Sequence, residues 1–172
     1  MSDGPLRGGG NDAAPFRVLM VCLGNICRSP TAEVVLRHRL EVSGLAVDLR
    51  VDSAGTHAGG VGMPPDPRSI AHAARRGYDL RGLKARRLHR DDYDTFGLIL
   101  AMDDDNLAHM RADCPPARRD RLVRLMDFAP ASLPRAVPDP YYAGAPAFER
   151  ALDLIEAACD GLAQYLQSRQ GV

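Results

Sequence analysis

The chain has 172 residues, the usual size of one domain, and 45% of them are apolar, enough to bury a real core. Arg plus Lys and Asp plus Glu each number 22, so the formal charge is zero and no global field favours nucleic acid or a membrane surface. Any positive charge that matters must be local. Only Lys84 among the basic residues is lysine, and the arginines are spread along the whole chain, which reads as a genome-level bias. Four cysteines, Cys22, Cys27, Cys114 and Cys159, lack paired zinc-ligand spacing and are too few for a disulfide scaffold, so reduced thiols and no metal are expected.

Residues 1–15, MSDGPLRGGGNDAAP, are Gly-rich and polar and contain no apolar segment of a signal peptide. They are expected to form a disordered tail, with one domain over residues 16–172. No apolar run approaches the roughly 18 residues of a spanning helix, so the expectation is a cytoplasmic protein without membrane contact. Phe16 to Cys22, FRVLMVC, is a continuous apolar run of the kind that forms a parallel strand buried on both faces. Ser29 then reads as an N-cap with Pro30 at the first helical position, opening a helix that ends at Gly44. A second strand is predicted from Val47 in VDLRVDSAG, then a Gly/Pro-rich loop from Gly55 to Pro65. Asp66-Pro67 opens a helix to Gly77. Gly97 to Met102 is a third buried strand, DDDNL starts a helix, and Arg121 to Phe128 is a fourth candidate strand. Phe148, Leu152, Ile155, Cys159, Leu162 and Leu166 mark one face of a long final helix. Alternating strands and helices predict an α/β domain whose parallel sheet is covered by helices on both faces.

The chemistry concentrates in VCLGNICRSPTAE, Val21 to Glu33. A Cys and an Arg six residues apart mean little alone, because about 0.5 such pairs are expected by chance in a chain this rich in arginine. Position decides. The loop leaves the C-terminal end of the first strand and enters a helix N-terminus, where open α/β sheets bind ligands and unpaired N–H groups attract anions. Gly24 lets the backbone curl, and the amides of Leu23, Gly24, Asn25, Ile26, Cys27 and Arg28 can form a nest for a tetrahedral oxyanion. Arg28 adds a planar fork that suits two phosphate oxygens. A free thiol titrates near ~8.5, whereas helix N-termini and cations lower such values to about 3.5–7.5. That effect raises a thiolate population at neutral pH by up to about thirtyfold, on the order of 2 kcal/mol. The competing reading of Cys22 is a buried structural cysteine at a strand end, and the anion-binding surroundings count against it.

These segments, together with VDSAGT (Val51 to Thr56), DPRS (Asp66 to Ser69), GYDL (Gly77 to Leu80), ILAMDDDNL (Ile99 to Leu107) and VPDPYY (Val137 to Tyr142), resemble the low-molecular-weight protein tyrosine phosphatases. The match runs in order from about residue 16 into the last helix. The resemblance implies a four-stranded parallel sheet with a phosphate loop after the first strand, no cofactor, and hydrolysis of phosphotyrosine through a cysteinyl-phosphate. It implies Cys22 as nucleophile, Arg28 as phosphate binder and Asp139 as general acid and base. It also implies that Asn25, Ser29 and Ser53 hold the loop, though each could equally be a turn or cap former. The implied partner is a phosphotyrosine protein, such as a bacterial tyrosine kinase, with inorganic phosphate as product.

Read without the resemblance, Asp139 could be an ordinary Asp-Pro turn; with it, the two prolines of PDPYY stiffen the loop that carries the acid. Cys27 is either a partner for a reversible disulfide with Cys22, as the resemblance would imply, or a small buried filler. Cys114 and Cys159 read as inert core thiols. Tyr141 and Tyr142 are expected to be the walls of the substrate site. Two positions depart from the family: Gly59 or Gly60 falls where relatives commonly offer an aromatic wall, with His57 as a candidate replacement, and Leu83 stands where they often have histidine. Three other functions stay in view. Arsenate reduction needs further relay cysteines, phosphoarginine hydrolysis goes with threonine where this chain has Ile26, and a phosphate-binding redox sensor would not need Asp139.

Overall fold

The computed structural model describes residues 14–46 and 48–170. The expected N-terminal tail therefore lies almost wholly outside the described residues, as does Val47 at the expected start of the second strand. Strand β1 spans Phe16–Cys22, helix α1 Arg28–Val42, β2 Leu49–Gly55 and α2 Pro67–Ala74. The short helix α3, Asp92–Thr95, leads into β3, Leu98–Ala101. Helix α4, Asp104–Asp113, precedes β4, Leu122–Arg124, and α5, Ala145–Arg169, closes the fold.

All four strands pair in parallel, in the order β2-β1-β3-β4. β1 is interior to the sheet because residues 18–22 are apolar on both faces. Val18, Met20 and Cys22 join the core under α1 and α5, while Leu19 and Val21 join a second core with Ile99, Leu107 and Met110 under α4. Residues 18–21 have no solvent exposure at all. Such burial is worth roughly 1.5–3 kcal/mol per large side chain, which is why an uninterrupted apolar run ends up between two helical layers. The predicted face of α5 is buried as expected, from Phe148 to Leu166. Gly161 on that helix lets it settle against the turn at Phe128: a Cβ there would stand 1.9 Å from the Phe128 carbonyl oxygen.

Four boundaries differ from the sequence reading. α1 begins at Arg28, with Cys27 as its cap residue, so Ser29 lies inside the first turn and its hydroxyl makes no capping bond. The reason is tertiary: that hydroxyl is engaged by Cys22 and Asn25. Pro30 is third in the helix, still within the turn whose N–H groups have no intrahelical acceptor. The first helix gives way at Ser43, just before Gly44, whose φ is 78°. α2 stops at Ala74, three residues before Gly77, with Asp66 capping its start by accepting from Arg68 N at 2.8 Å. β4 is only three residues long, because Leu125–Phe128 winds into a 3-10 turn whose Leu125 and Met126 pack under α5.

Candidate functional site

The register of β1 on β2 sets Cys22 opposite Gly55 and Met20 opposite Ser53. The loop leaving β1 folds back over Gly55, where a Cβ would stand 2.7 Å from the Leu23 carbonyl oxygen and 2.9 Å from Asn25 N. Only glycine permits that approach. The loop carbonyls of Cys22, Leu23 and Ile26 accept from Thr56 N, His57 N and Asp66 N at 2.8–2.9 Å. A curl whose carbonyls are drawn outward turns its amides toward the concave side. Asn25 has a φ of 58°, a left-handed conformation that costs a non-glycine residue roughly 1–2 kcal/mol, least for Asn and Asp. Three hydrogen bonds hold it: Asn25 Nδ2 donates to Ser29 Oγ (2.8 Å) and Ser53 Oγ (3.0 Å), and its Oδ1 accepts from Arg86 N (2.9 Å). Ser29 Oγ in turn lies 3.0 Å from Cys22 Sγ. Asn25, Ser29 and Ser53 thus form one connected network behind the sulfur.

Arg28 is 2% exposed, and its orientation is set from across the sheet. Its Nη1 donates to Asp103 Oδ2 at 2.6 Å and to the Val137 carbonyl at 2.9 Å. Asp103 also caps α4 by accepting from Asn106 N at 2.8 Å, so its two oxygens tie the fork to the end of β3. Arg28 Nη2 stands 3.5 Å from Asp139 Oδ2, and its buried Nε has no hydrogen-bond partner among the described residues. A buried N–H left unpaired costs about 1–3 kcal/mol, so this fork is built to meet an acceptor.

Cys22, Leu23, Gly24, Ile26, Cys27, Arg28 and Asp139 line one open cleft of about 400 Å³, together with His57, Gly59, Tyr141 and Tyr142. The two tyrosine rings meet edge-on, with centroids 4.8 Å apart. Tyr141 N donates to Asp139 Oδ1 at 3.1 Å, and the Arg68 guanidinium lies over the Tyr141 ring, 5.4 Å from its centroid. Arg68 is itself held by both oxygens of Asp66, whose carboxyl is pulled below its ordinary value by that pairing. Gly59 contributes no side chain, and the space beside it is open. His57 reaches the cleft from the same loop, edge-on to His109 with centroids 4.9 Å apart.

The four cysteines are all buried and free. Burial pushes the Cys27 thiol up to about 12, with Ser69 pulling the other way, so Cys27 is a neutral thiol at physiological pH. Burial likewise raises Cys114 and Cys159. These two sit in separate cores on opposite faces of the sheet.

The residues lining the β1–α1 side of the cleft all stood out in the sequence, whereas Asp103, Glu33 and Arg86 did not. Asp103 was visible only as a helix start. Glu33 and Arg86 gave no local signal, since the partners that engage them, Ser53 and Asn25, lie 20 and 61 positions away. Arg86, three residues beyond Leu83, donates its backbone N–H to Asn25 Oδ1.

At the C-terminal end of β1, a cysteine, a buried arginine fork and a carboxylate therefore share one cleft on a parallel α/β sheet. The description of the low molecular weight phosphotyrosine protein phosphatases matches residues 17–171. The chain is 42% identical over 150 residues to the low molecular weight protein-tyrosine-phosphatase of Streptomyces coelicolor, covering 86% of this chain and 91% of that one. The crystal structure of a protein tyrosine phosphatase from Entamoeba histolytica with Hepes in its active site superposes with a TM-score of 0.87 at 35% identity, covering 90% of this chain and 99% of that one. That of YfkJ from Bacillus subtilis gives 0.86 at 34%, covering 92% and 99%. The chain belongs to the low molecular weight phosphotyrosine protein phosphatase family, whose members are phosphoric monoester hydrolases.

Proposed function

We propose that this chain hydrolyses phosphotyrosine in proteins through a cysteinyl-phosphate on Cys22. The observation that carries the reading is that Cys22, Arg28 and Asp139 line a single cleft with Tyr141 and Tyr142 beside them. The amides of residues 23–28 and the free donors of Arg28 bind the three non-bridging phosphoryl oxygens. The Cys22 thiolate attacks phosphorus in line with the bond to the phenolic oxygen. As that bond breaks, Asp139 gives its proton to the departing oxygen, so tyrosine leaves as a neutral phenol. The carboxylate so formed takes a proton from water, whose oxygen attacks the phosphocysteine, and inorganic phosphate leaves while the thiolate is restored. The nest and Arg28 act most strongly where charge spreads over the equatorial oxygens in both steps.

The walls support an aromatic substrate. Leu23 and Ile26 offer apolar surface on the loop side, and Tyr141 and Tyr142 offer stacking faces opposite. Ile26 lines this cleft with an apolar side chain, which suits an aromatic ring better than a phosphoguanidine and counts against phosphoarginine. The burial of Cys114 and Cys159 in separate cores counts against a thiol relay for arsenate. The deciding experiment is steady-state turnover of a phosphotyrosine peptide by wild type and Cys22→Ser. Serine should reduce turnover to background while inorganic phosphate still binds, because the nest and Arg28 remain. Turnover within tenfold of wild type would remove Cys22 from the nucleophile's role.

A further inference from the structure

The network behind Cys22 continues past Ser53. Ser53 Oγ donates to Glu33 Oε1 at 2.6 Å, and Glu33 Oε2 pairs with the Arg37 guanidinium one turn along α1. Arg37 also donates to the Val51 carbonyl at 2.9 Å, which fixes it on the edge of β2. Glu33 is 3% exposed, whereas the Arg37 side chain is 42% exposed. An unbroken path of polar contacts therefore runs from a solvent-facing cation, through a buried carboxylate, to the buried sulfur.

Counting protons along the path gives it a direction. An ionised carboxylate has only lone pairs, so Ser53 must donate to Glu33 and can only accept from Asn25. Asn25 has two amide protons, and they go to Ser53 and Ser29. The amide cannot turn over, because its Oδ1 is held by Arg86 N. Ser29 has accepted and has one proton left. Its nearest acceptor is Cys22 Sγ at 3.0 Å; the Ala54 carbonyl is at 3.4 Å. A neutral Glu33 would free the Ser53 proton to turn, and the path would lose its single sense.

We infer that Glu33, paired with Arg37, is a positioning residue for the nucleophile: it orders the Ser53–Asn25–Ser29 chain so that the Ser29 proton is presented to the Cys22 sulfur. The inference rests on the reading of Cys22 as nucleophile. Burial pushes the Glu33 carboxyl up, Ser53 and Arg37 pull it down, and Asp52 on β2 pushes it up. Those are the charged groups facing it, and Asp52 is itself paired with Arg86. Removing Arg37 leaves burial opposed by Ser53 alone.

The test reads Cys22 directly, by the pH dependence of its alkylation with iodoacetamide, alongside kcat and KM on an aryl phosphate. Wild type, Glu33→Gln, Arg37→Met and Arg37→Lys are compared. In Glu33→Gln and Arg37→Met the midpoint of alkylation should move up by about one pH unit, a tenfold loss of thiolate below it. The rate constant kcat should fall in step near pH 6 while KM stays within about twofold, because Arg28 and the amide nest are unchanged. Arg37→Lys should recover most of both. An unmoved alkylation midpoint in Arg37→Met overturns the inference. If Glu33→Gln does not fold, the partly exposed Arg37 variants decide alone. The alkylation readout needs no turnover, so a failure of the phosphatase reading would leave this result separately legible.

Discussion

Arg28 and Asp139 face one another across the cleft, Nη2 to Oδ2 at 3.5 Å, with the guanidinium 2% and the carboxylate side chain 37% exposed. The buried cation is fixed by Asp103 and Val137, whereas the carboxylate stands on a loop between prolines and is open to solvent. On the proposed reading, an arriving phosphoryl dianion would compete with the Asp139 carboxylate for the Arg28 fork.

Asp139→Asn should therefore separate binding from chemistry. Inorganic phosphate should bind as well as to wild type or better, since one negative charge beside the fork is gone. Turnover of phosphotyrosine should drop by around 10²–10⁴, with a much smaller loss for an aryl phosphate whose leaving group needs no proton. Equal loss for good and poor leaving groups would assign the proton to another residue.

Cys22 and Cys27 lie in the same loop but should react very differently. Because burial holds the Cys27 thiol near 12, alkylation at pH 6–7 should label Cys22 and leave Cys27 untouched. Peptide mapping after brief iodoacetamide treatment, with and without phosphate as protectant, checks this. Preferential labelling of Cys27 would reverse the assignment of the two thiols.

Gly59 should accept a wall. Its Cβ direction meets nothing within 4 Å, so Gly59→Trp has room beside the cleft without displacing backbone. A second aromatic face is worth roughly 0.5–1.5 kcal/mol. KM for a phosphotyrosine peptide should fall severalfold, with little change for a non-aromatic phosphoester. Tyr141→Ala, which removes a ring now lying under Arg68, should raise KM. No gain at Gly59 with severe loss at Tyr141 would mean that His57 already closes that side.

Acid should loosen the packing of α2 and α1 against α5. Asp66 is lowered by its bond to Arg68, and Glu149 by its bonds to Arg76 and His72. Glu156 is lowered too, although burial opposes the pull of Tyr78 and Arg76. The unfolded chain binds protons at these groups before the folded one does, so their contribution is complete above about pH 4.5 and fades as pH falls through the folded values. Glu33, raised by burial, has the opposite sign: its contribution favours the fold below its raised value and fades as pH rises through it. Thermal melts should show the midpoint falling below about pH 4.5 and falling less steeply in Arg76→Met, which removes the cation shared by Glu149 and Glu156. Parallel slopes in both proteins would count against this network as the source.

The order of strands and helices, the curl after β1 and the proline-flanked turn at Asp139 were legible in the sequence, because each rests on local chemistry. A fully apolar run can only be buried on both faces. A Gly-containing curl running into a helix can only present amides, and a proline-flanked aspartate can only be a stiff turn or a held acid. What reaches across the chain was not legible. Ser29 looked like a cap because caps are a local rule, yet the parallel register of β1 on β2 and the bend of the loop over Gly55 bring Cys22 and Asn25 to its hydroxyl. Asp103 meets Arg28 over 75 positions and Glu33 meets Ser53 over 20, contacts created only when the crossover helices lay the strands side by side. Local propensity decides which segments form and in what order. Only the assembled sheet decides which buried polar atom finds which partner, since each must satisfy its hydrogen bonds with whatever the neighbouring strand and loop set within 3 Å.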